Sequence, residues 1–240
     1  MANRRGISYS VVVGLLIALA TGVILILFTG GFSDILSKGA DRNACRNSVV
    51  LKAFNPTKIG ELNCRTNYVE INTLDQQEIM RKVAEEAYWC WWQFKEGEAD
   101  FKSLGGFEGP VWCFLCSDIQ FSDNVKEKYP DGIEGFDTFL QETTLKPKYN
   151  GNYADYLPIK YLSPEDPTYL ETLSTISTEK MPIAFAIVES KQFAAKKGIA
   201  YDPAIYTSNF EAKHYFYGMV YGTENIQSMC NTLRVGEPLS

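Results

Sequence analysis

A single histidine, His214, is all the chain offers to imidazole chemistry. A Ser/His/Asp or Cys/His catalytic set would have to use it, and no nucleophile motif accompanies it. There is no Walker A loop, no G-x-G-x-x-G, no H-E-x-x-H and no EF-hand loop in the sequence. Lys and Arg do not cluster. The densest basic run, Lys191, Lys196 and Lys197, reads as the polar side of a short helix. A net charge of -6 without a basic patch argues against a nucleic-acid partner. The Asn55-Pro56-Thr57 triplet has proline at the forbidden position, so no usable N-glycosylation sequon exists. Long polar low-complexity tracts are missing too, and aromatic residues make up 13% of the chain, which excludes a disordered polypeptide. Acidic groups such as Glu96/Glu98/Asp100 and Asp118/Asp123 could in composition serve a two-carboxylate glycosidase. Among 29 acidic residues they are expected as solvated surface. The sequence therefore gives no catalytic residue, no cofactor and no metal site, and the expectation is a non-enzymatic protein.

Charge is also absent from Gly6 to Ser33, and Val11–Phe28 is apolar apart from Gly14, Thr21 and Gly22. Twenty helical residues rise about 30 Å, the thickness of a bilayer's hydrocarbon core. A transmembrane helix is expected over 7–32. A cytoplasmic head or leader at 1–6 precedes it, and a linker at 33–44 and one domain at 45–240 follow. Arg4 and Arg5 fit a cytoplasmic N-terminus, although Lys38, Arg42 and Arg46 follow the span closely and nearly balance them. A cleaved secretory signal is the alternative, disfavoured by the length of the run and the lack of an A-x-A-like site.

Six cysteines, Cys45, Cys64, Cys90, Cys113, Cys116 and Cys230, all lie beyond the span. An even number in a domain outside a membrane implies up to three disulfides. A zinc site on Cys113-x-x-Cys116 would need a second close pair, which is missing. The cysteines thus favour an extracytoplasmic domain on a single-pass protein of the cell membrane, with the lipid bilayer as its first partner. A Cys45–Cys64 bond would close a loop of about 20 residues and could add roughly 3 kcal/mol.

Within the span, Ser10, Gly14, Ala18 and Gly22 recur every fourth residue, a spacing that lets two helix backbones approach closely. Self-association through this face is expected. The stretch Arg5-Gly6-Ile7-Ser8, after a short basic head and before an apolar helix, resembles the N-terminus of archaeal type IV pilin-like proteins. That resemblance implies processing between Gly6 and Ile7 and packing of the freed helix in a filament core. It covers about 25 residues. The pattern Cys90-Trp91, Gly97, Asp100-Phe101, Cys113-x-x-Cys116-Ser117 and Phe121 is similar to single-span archaeal membrane proteins of uncharacterised function, and implies no activity.

The domain itself reads as α+β, with a mixed or antiparallel sheet and a packed amphipathic helix. Ser48–Phe54 and Asn67–Ile71 have strand character, with a turn at Asn55-Pro56. Thr73 is placed to cap a helix, with Gln76 as its capping-box partner. Ile79, Val83, Ala87, Cys90, Trp91 and Phe94 follow at helical spacing, leaving Glu78, Lys82, Glu85 and Glu86 outside. Trp89, Trp91 and Trp92 cannot all enter one core, because consecutive helical residues point around the whole axis. They are read either as an aromatic contact for a ligand or partner or as rings covered by another segment. Val111–Phe121 alternates as a strand, with Val111, Cys113, Leu115, Ser117, Ile119 and Phe121 on one face. Cys113 and Cys116 then face opposite ways and need different partners, and Cys90 is the natural partner for one of them. Glu134–Thr143 reads as a short helix, Pro182–Glu189 as a central strand, and His214–Tyr221 as a strand with a Tyr-rich side. Two functions fit: a membrane-anchored surface or structural protein, pilin-like by its N-terminus, or a tethered domain that binds a ligand or partner. A tethered hydrolase ranks below both.

Overall fold

A computed structural model of the chain describes residues 13–21, 32–54, 62–99, 111–145, 149–158, 174–189, 215–223, 226–227 and 230–236. The chain divides into two units, Met1–Asp41 and Arg42–Ser240.

In the first unit, residues 13–21 form helix α1, with exposed side chains. Helix α2, Phe32–Phe54, begins in this unit and ends in the second. Among the described residues, no helix is long and apolar enough to cross a membrane. This overturns the expected transmembrane helix over 7–32 and the fold class built on it. Residues 13–21 of that stretch are helical, and 7–12 and 22–31 lie outside the described residues. Helix α2 is long enough at 23 residues, but it carries Asp34, Lys38, Asp41, Arg42 and Arg46. Residues 33–44, expected as a linker, are helical and lie within α2. Gly6, Ile7, Ser10 and Gly22 lie outside the described residues. Gly14 and Ala18 are exposed, and a Cβ added at Gly14 would meet nothing within 4 Å.

The second unit is α+β. Its spine is β2, Val111–Phe121, buried along most of its length. β1, Asn67–Ile71, runs parallel to the second half of β2. The crossover between them holds helix α3, Gln76–Gln93, as a parallel pair requires. β5, Lys180–Glu189, is antiparallel to β2, and β6, Tyr215–Tyr221, is antiparallel to β5. β7, Thr232–Val235, returns parallel to the first half of β2. β7 and β1 therefore lie end to end along one edge of β2. The short helices α4 (Asp123–Lys128), α5 (Phe136–Glu142) and α6 (Tyr153–Tyr156) and the two-stranded β3–β4 ladder (Ile133–Glu134 with Thr175–Ile176) complete the unit.

The expected stripe of α3 is buried on the sheet with Phe114, Ile119, Phe185 and Ile187. The cap lies two residues later than expected. Asp75 accepts from the Glu78 amide, while Thr73 donates its hydroxyl to the Glu78 carboxylate. The opposite face of β2 and β5 packs Val111, Cys113, Ala184 and Ala186 against Ile226. The expected strand at Ser48–Phe54 is instead the end of α2, which buries Cys45 and Val49 one helical turn apart. Helical spacing of these contacts outweighs the β-branched bias of Val49-Val50.

All six cysteines pair as Cys45–Cys64, Cys90–Cys116 and Cys113–Cys230. The register slips between Leu115 and Ser117, a bulge at Cys116. Neighbours Cys116 and Ser117 consequently both reach α3, the first through the bond to Cys90 and the second through a 2.6 Å hydrogen bond to Glu86. Ser117, Ile119 and Phe121 thus lie on the α3 side, not with Cys113 as strict alternation implies.

The junction of β7 and β1 is tied by Thr66. Its buried hydroxyl donates to the Leu115 carbonyl and accepts from the Gly236 amide. A Cβ on Gly236 would lie 2.7 Å from Arg65 Cα and 2.9 Å from Thr66 N, and closer still to the Cys64 carbonyl oxygen. All three atoms are backbone and cannot swing away. Gly236→Ala should therefore destabilise the protein by about 2 kcal/mol, as overpacking does. Chemical denaturation checks this, and a change under about 0.5 kcal/mol, the level of an ordinary surface substitution, would refute the tight junction.

Candidate functional site

Two places on the second unit concentrate polar and aromatic chemistry. The first is the tryptophan run on α3. Trp91 points into the core against Phe185, with ring centroids 5.7 Å apart. Trp89 and Trp92 are half-buried, meet edge to face at 5.4 Å, and are covered from α2. The Arg42 guanidinium sits 4.8 Å from the Trp89 ring centre, and that of Arg46 4.3 Å from Trp92. One turn of α2 separates the two arginines, so each reaches one ring.

Each guanidinium is also fixed by a carboxylate. Arg42 donates to both Glu86 oxygens at 2.8 and 2.9 Å. Glu86 further accepts from Asn67 and Ser117, so it joins α2, α3, β1 and β2. It does not lie on the outer side of α3 as the helical pattern implies. Arg46 pairs with Glu96 and donates to the Trp92 carbonyl, where it answers the negative end of the helix. Glu96 also accepts from the Tyr156 hydroxyl at 2.8 Å. Lys95 and Glu96 hold positive φ angles of 59° and 51°, a conformation costly for residues with a Cβ, and the contacts to Glu96 keep it there. The aromatic platform is thus occupied by the chain's own cations.

The second place is a cavity of about 400 Å³ where the end of α3, the bulge of β2 and the β7–β1 junction meet. Phe94 and Phe114, 5.2 Å apart at the ring centres, supply apolar wall. Asn63, Arg65, Gln93 and Arg234 supply the polar lining. Gln93 is 6% exposed. Arg65 and Arg234 are exposed at the rim.

No family model, curated protein or solved structure matches this chain.

Of the residues singled out in the sequence, the six cysteines form the frame of both places, and Cys64 and Cys116 line the cavity. The acidic groups are spoken for separately: Glu98 by Lys95, Asp118 by Lys180 and Asp123 by Lys126. Among the described residues, no group of three or more His, Cys, Asp or Glu could hold a metal ion. His214 and Asp100 lie outside those residues, as do the side chains of Tyr215 and Tyr217. Sequence reading missed Gln93, Arg65 and Arg234. Only Gln93 carried a signal, being a polar residue three positions after Cys90 on the edge of the buried stripe.

Three phenols beside the first place resist ionisation. Burial pushes Tyr153 up to about 12, helped by the charge of Glu85. Tyr156 is raised by burial, then by its hydrogen bond to Glu96 and that group's charge, and Tyr88 by burial and Glu96. Folding favours the protonated phenols, so their contribution is complete below the unfolded value of about 10 and is lost as pH rises through the folded values. In an alkaline titration, part of the phenolate absorbance should appear only together with loss of circular dichroism. Full tyrosine ionisation near pH 10 in a still-folded protein would contradict this.

Proposed function

We propose that the disulfide-linked unit is an extracytoplasmic binding domain that acts by holding a ligand or partner rather than by catalysis. The cavity at the end of α3 carries this reading. Its volume of about 400 Å³ falls in the range of small-molecule sites, and its lining, more polar than apolar, sets Asn63, Arg65, Gln93 and Arg234 beside Phe94 and Phe114. The compartment is supported by the pairing of all six cysteines, since disulfides persist in oxidising surroundings and are reduced in most cytosols.

A second reading, a building block of a cell-surface structure, is favoured by a different observation. Tyr68 on β1 and Leu233 and Val235 on β7 are about half exposed, at 48%, 43% and 54%. Their register partners Asp118, Cys113 and Leu115 place all three on the sheet face away from α3, along an edge that pairs with no further strand among the described residues. Exposed apolar edge strands are sites of strand addition.

One set of measurements on the natively oxidised protein separates the two. A panel of anionic, cationic and neutral fragments, followed through the amide resonances of Arg65, Gln93 and Gly236, should give at least one saturable response at the cavity. A panel without any response sinks the binding-domain reading. Concentration-dependent self-association weakened by Val235→Asp would favour the structural role instead.

A further inference from the structure

We infer that the Cys45–Cys64 bond is a redox latch: a protein dithiol opens it, α2 detaches from α3, and two guanidinium groups are lifted from Trp89 and Trp92. The inference stands whether or not the cavity binds a ligand. Its first support is the unequal setting of the three disulfides. Cys90 and Cys116, between α3 and β2, are 0% and 5% exposed. Cys64 is half-buried, lies between the exposed residues Asn63 and Arg65, and lines the cavity, so this is the side from which a thiolate can approach. Its partner Cys45 is buried on α2 and is the leaving group.

What stays in place after each bond is cut is the second support. Cys230 is also half-buried, but the next residue, Asn231, donates its backbone N–H to the Val111 carbonyl at 2.8 Å and accepts from the Val111 amide at 3.1 Å. β7 continues this pairing from Thr232, so the ladder keeps Cys113 and Cys230 together once their bond is gone. The hydrogen bond between Ser117 and Glu86 does the same beside Cys90 and Cys116. Thiols held side by side re-form their disulfide readily, because their effective concentration stays high.

Cys45 lies on a helix, so no strand ladder ties it to Cys64. Once the bond is cut, α2 depends on contacts such as the Asn63–Ser48 hydrogen bond, the burial of Val49, and the ion pairs and ring contacts of Arg42 and Arg46. Each polar contact is weak singly, and water can replace it. When α2 detaches, the rings of Trp89 and Trp92 and the carboxylates of Glu86 and Glu96 lose their cations together. In the opening step a thiolate of the dithiol attacks Cys64 Sγ, the S–S bond breaks, and Cys45 leaves as a thiolate and takes up a proton. The second thiol of the reductant then attacks the mixed disulfide and frees Cys64. Two electrons and two protons pass to the two cysteines, and the reductant ends as a disulfide. In oxidising surroundings the bond stays closed until such a dithiol reaches it.

The full oxidised chain is titrated with dithiothreitol, free thiols are trapped with iodoacetamide at each step, and the labelled cysteines are mapped by mass. At the first step Cys45 and Cys64 should be at least about tenfold more labelled than the other four, since exchange follows access to the sulfur. In the same samples the indole emission should move to longer wavelength and acrylamide should quench it more, while amide protection in β2 and β5 is kept. Reoxidation should reverse both optical changes. The double variant Cys45→Ser/Cys64→Ser should show the reduced emission without reductant, and if it does not fold, the titration of the natural chain decides alone. Trp89→Phe/Trp92→Phe should abolish most of the emission change, because Trp91 is buried in the core and Trp112 lies on β2. Labelling of another pair first, or opening of all three bonds together as the protein unfolds, overturns the latch. So does opening of Cys45–Cys64 without a change in emission, or a change that survives loss of Trp89 and Trp92.

Discussion

Strand β2 is held from both faces by bonds that cannot slide. Cys116 is bonded to α3 on one side of the sheet, and Cys113 to the C-terminal segment at Cys230 on the other. Register in a sheet buried on both faces is already strongly specified, because a slip of one residue would invert every side chain. The two disulfides add that β2 cannot shift relative to the elements above and below it. The bulge at Cys116 makes this compatible with packing. It puts Cys116 and Ser117 on the same side, so the covalent bond to Cys90 and the hydrogen bond to Glu86 both reach α3. A regular strand would offer α3 only one of them.

From that spine the attachment of α2 can be weighed. Two cation–π contacts and one ion pair join it to α3, a second ion pair joins it to Glu96 just beyond that helix, and at partly exposed positions each is worth about 1 kcal/mol or less. The Cys45–Cys64 bond closes a short loop worth about 3 kcal/mol in the chain-entropy model. Burial of Val49 adds about 2 kcal/mol. The covalent bond and the apolar contact therefore hold α2, and the arginines set its orientation. Each guanidinium has a ring on one side and a carboxylate at its edge, which fixes the rotation of α2 about its own axis more closely than apolar contact does. The tryptophan run is thus explained by the need to dock a helix, without a ligand.

How far the sequence reveals this depends on the range of the contacts. Helix α3 could be read from its 3.6-residue period, β2 and β6 from alternation in the sequence, and β5 from a near-continuous apolar run whose residues 181–187 are all buried. Opposite partners for Cys113 and Cys116 followed from their odd spacing alone, and Cys90 as partner for one of them from the preceding helix. The end of α2 was not legible. Val49, Val50 and Leu51 argue locally for a strand, and the helical choice is made by Cys64, Glu86 and Glu96, which lie far along the chain. The apolar run at the N-terminus was read from hydropathy alone, and no described helix is both long and apolar enough to match it. The cavity was least legible of all. Its lining comes from four separate segments, and β7, only four residues long, contributes Arg234 and Val235, with no pattern of their own.

The cavity nevertheless follows from the topology. Two strands laid end to end on one edge of β2 must meet somewhere, and at the meeting point neither continues the ladder. Here the meeting point falls beside the bulge, where β2 itself departs from regular geometry. Thr66 and Gly236 close the backbone of the junction, and glycine is required because Cys64, Arg65 and Thr66 leave no room for a Cβ. No side chain of Gly236 can then fill the space toward α3, and the helix ends at Gln93, short of covering it. A void lined by phenylalanines alone would stay dry and would cost stability for nothing. This one also has a polar lining, from Asn63, Arg65, Gln93 and Arg234. The least regular point of the sheet is thus also where these polar side chains gather.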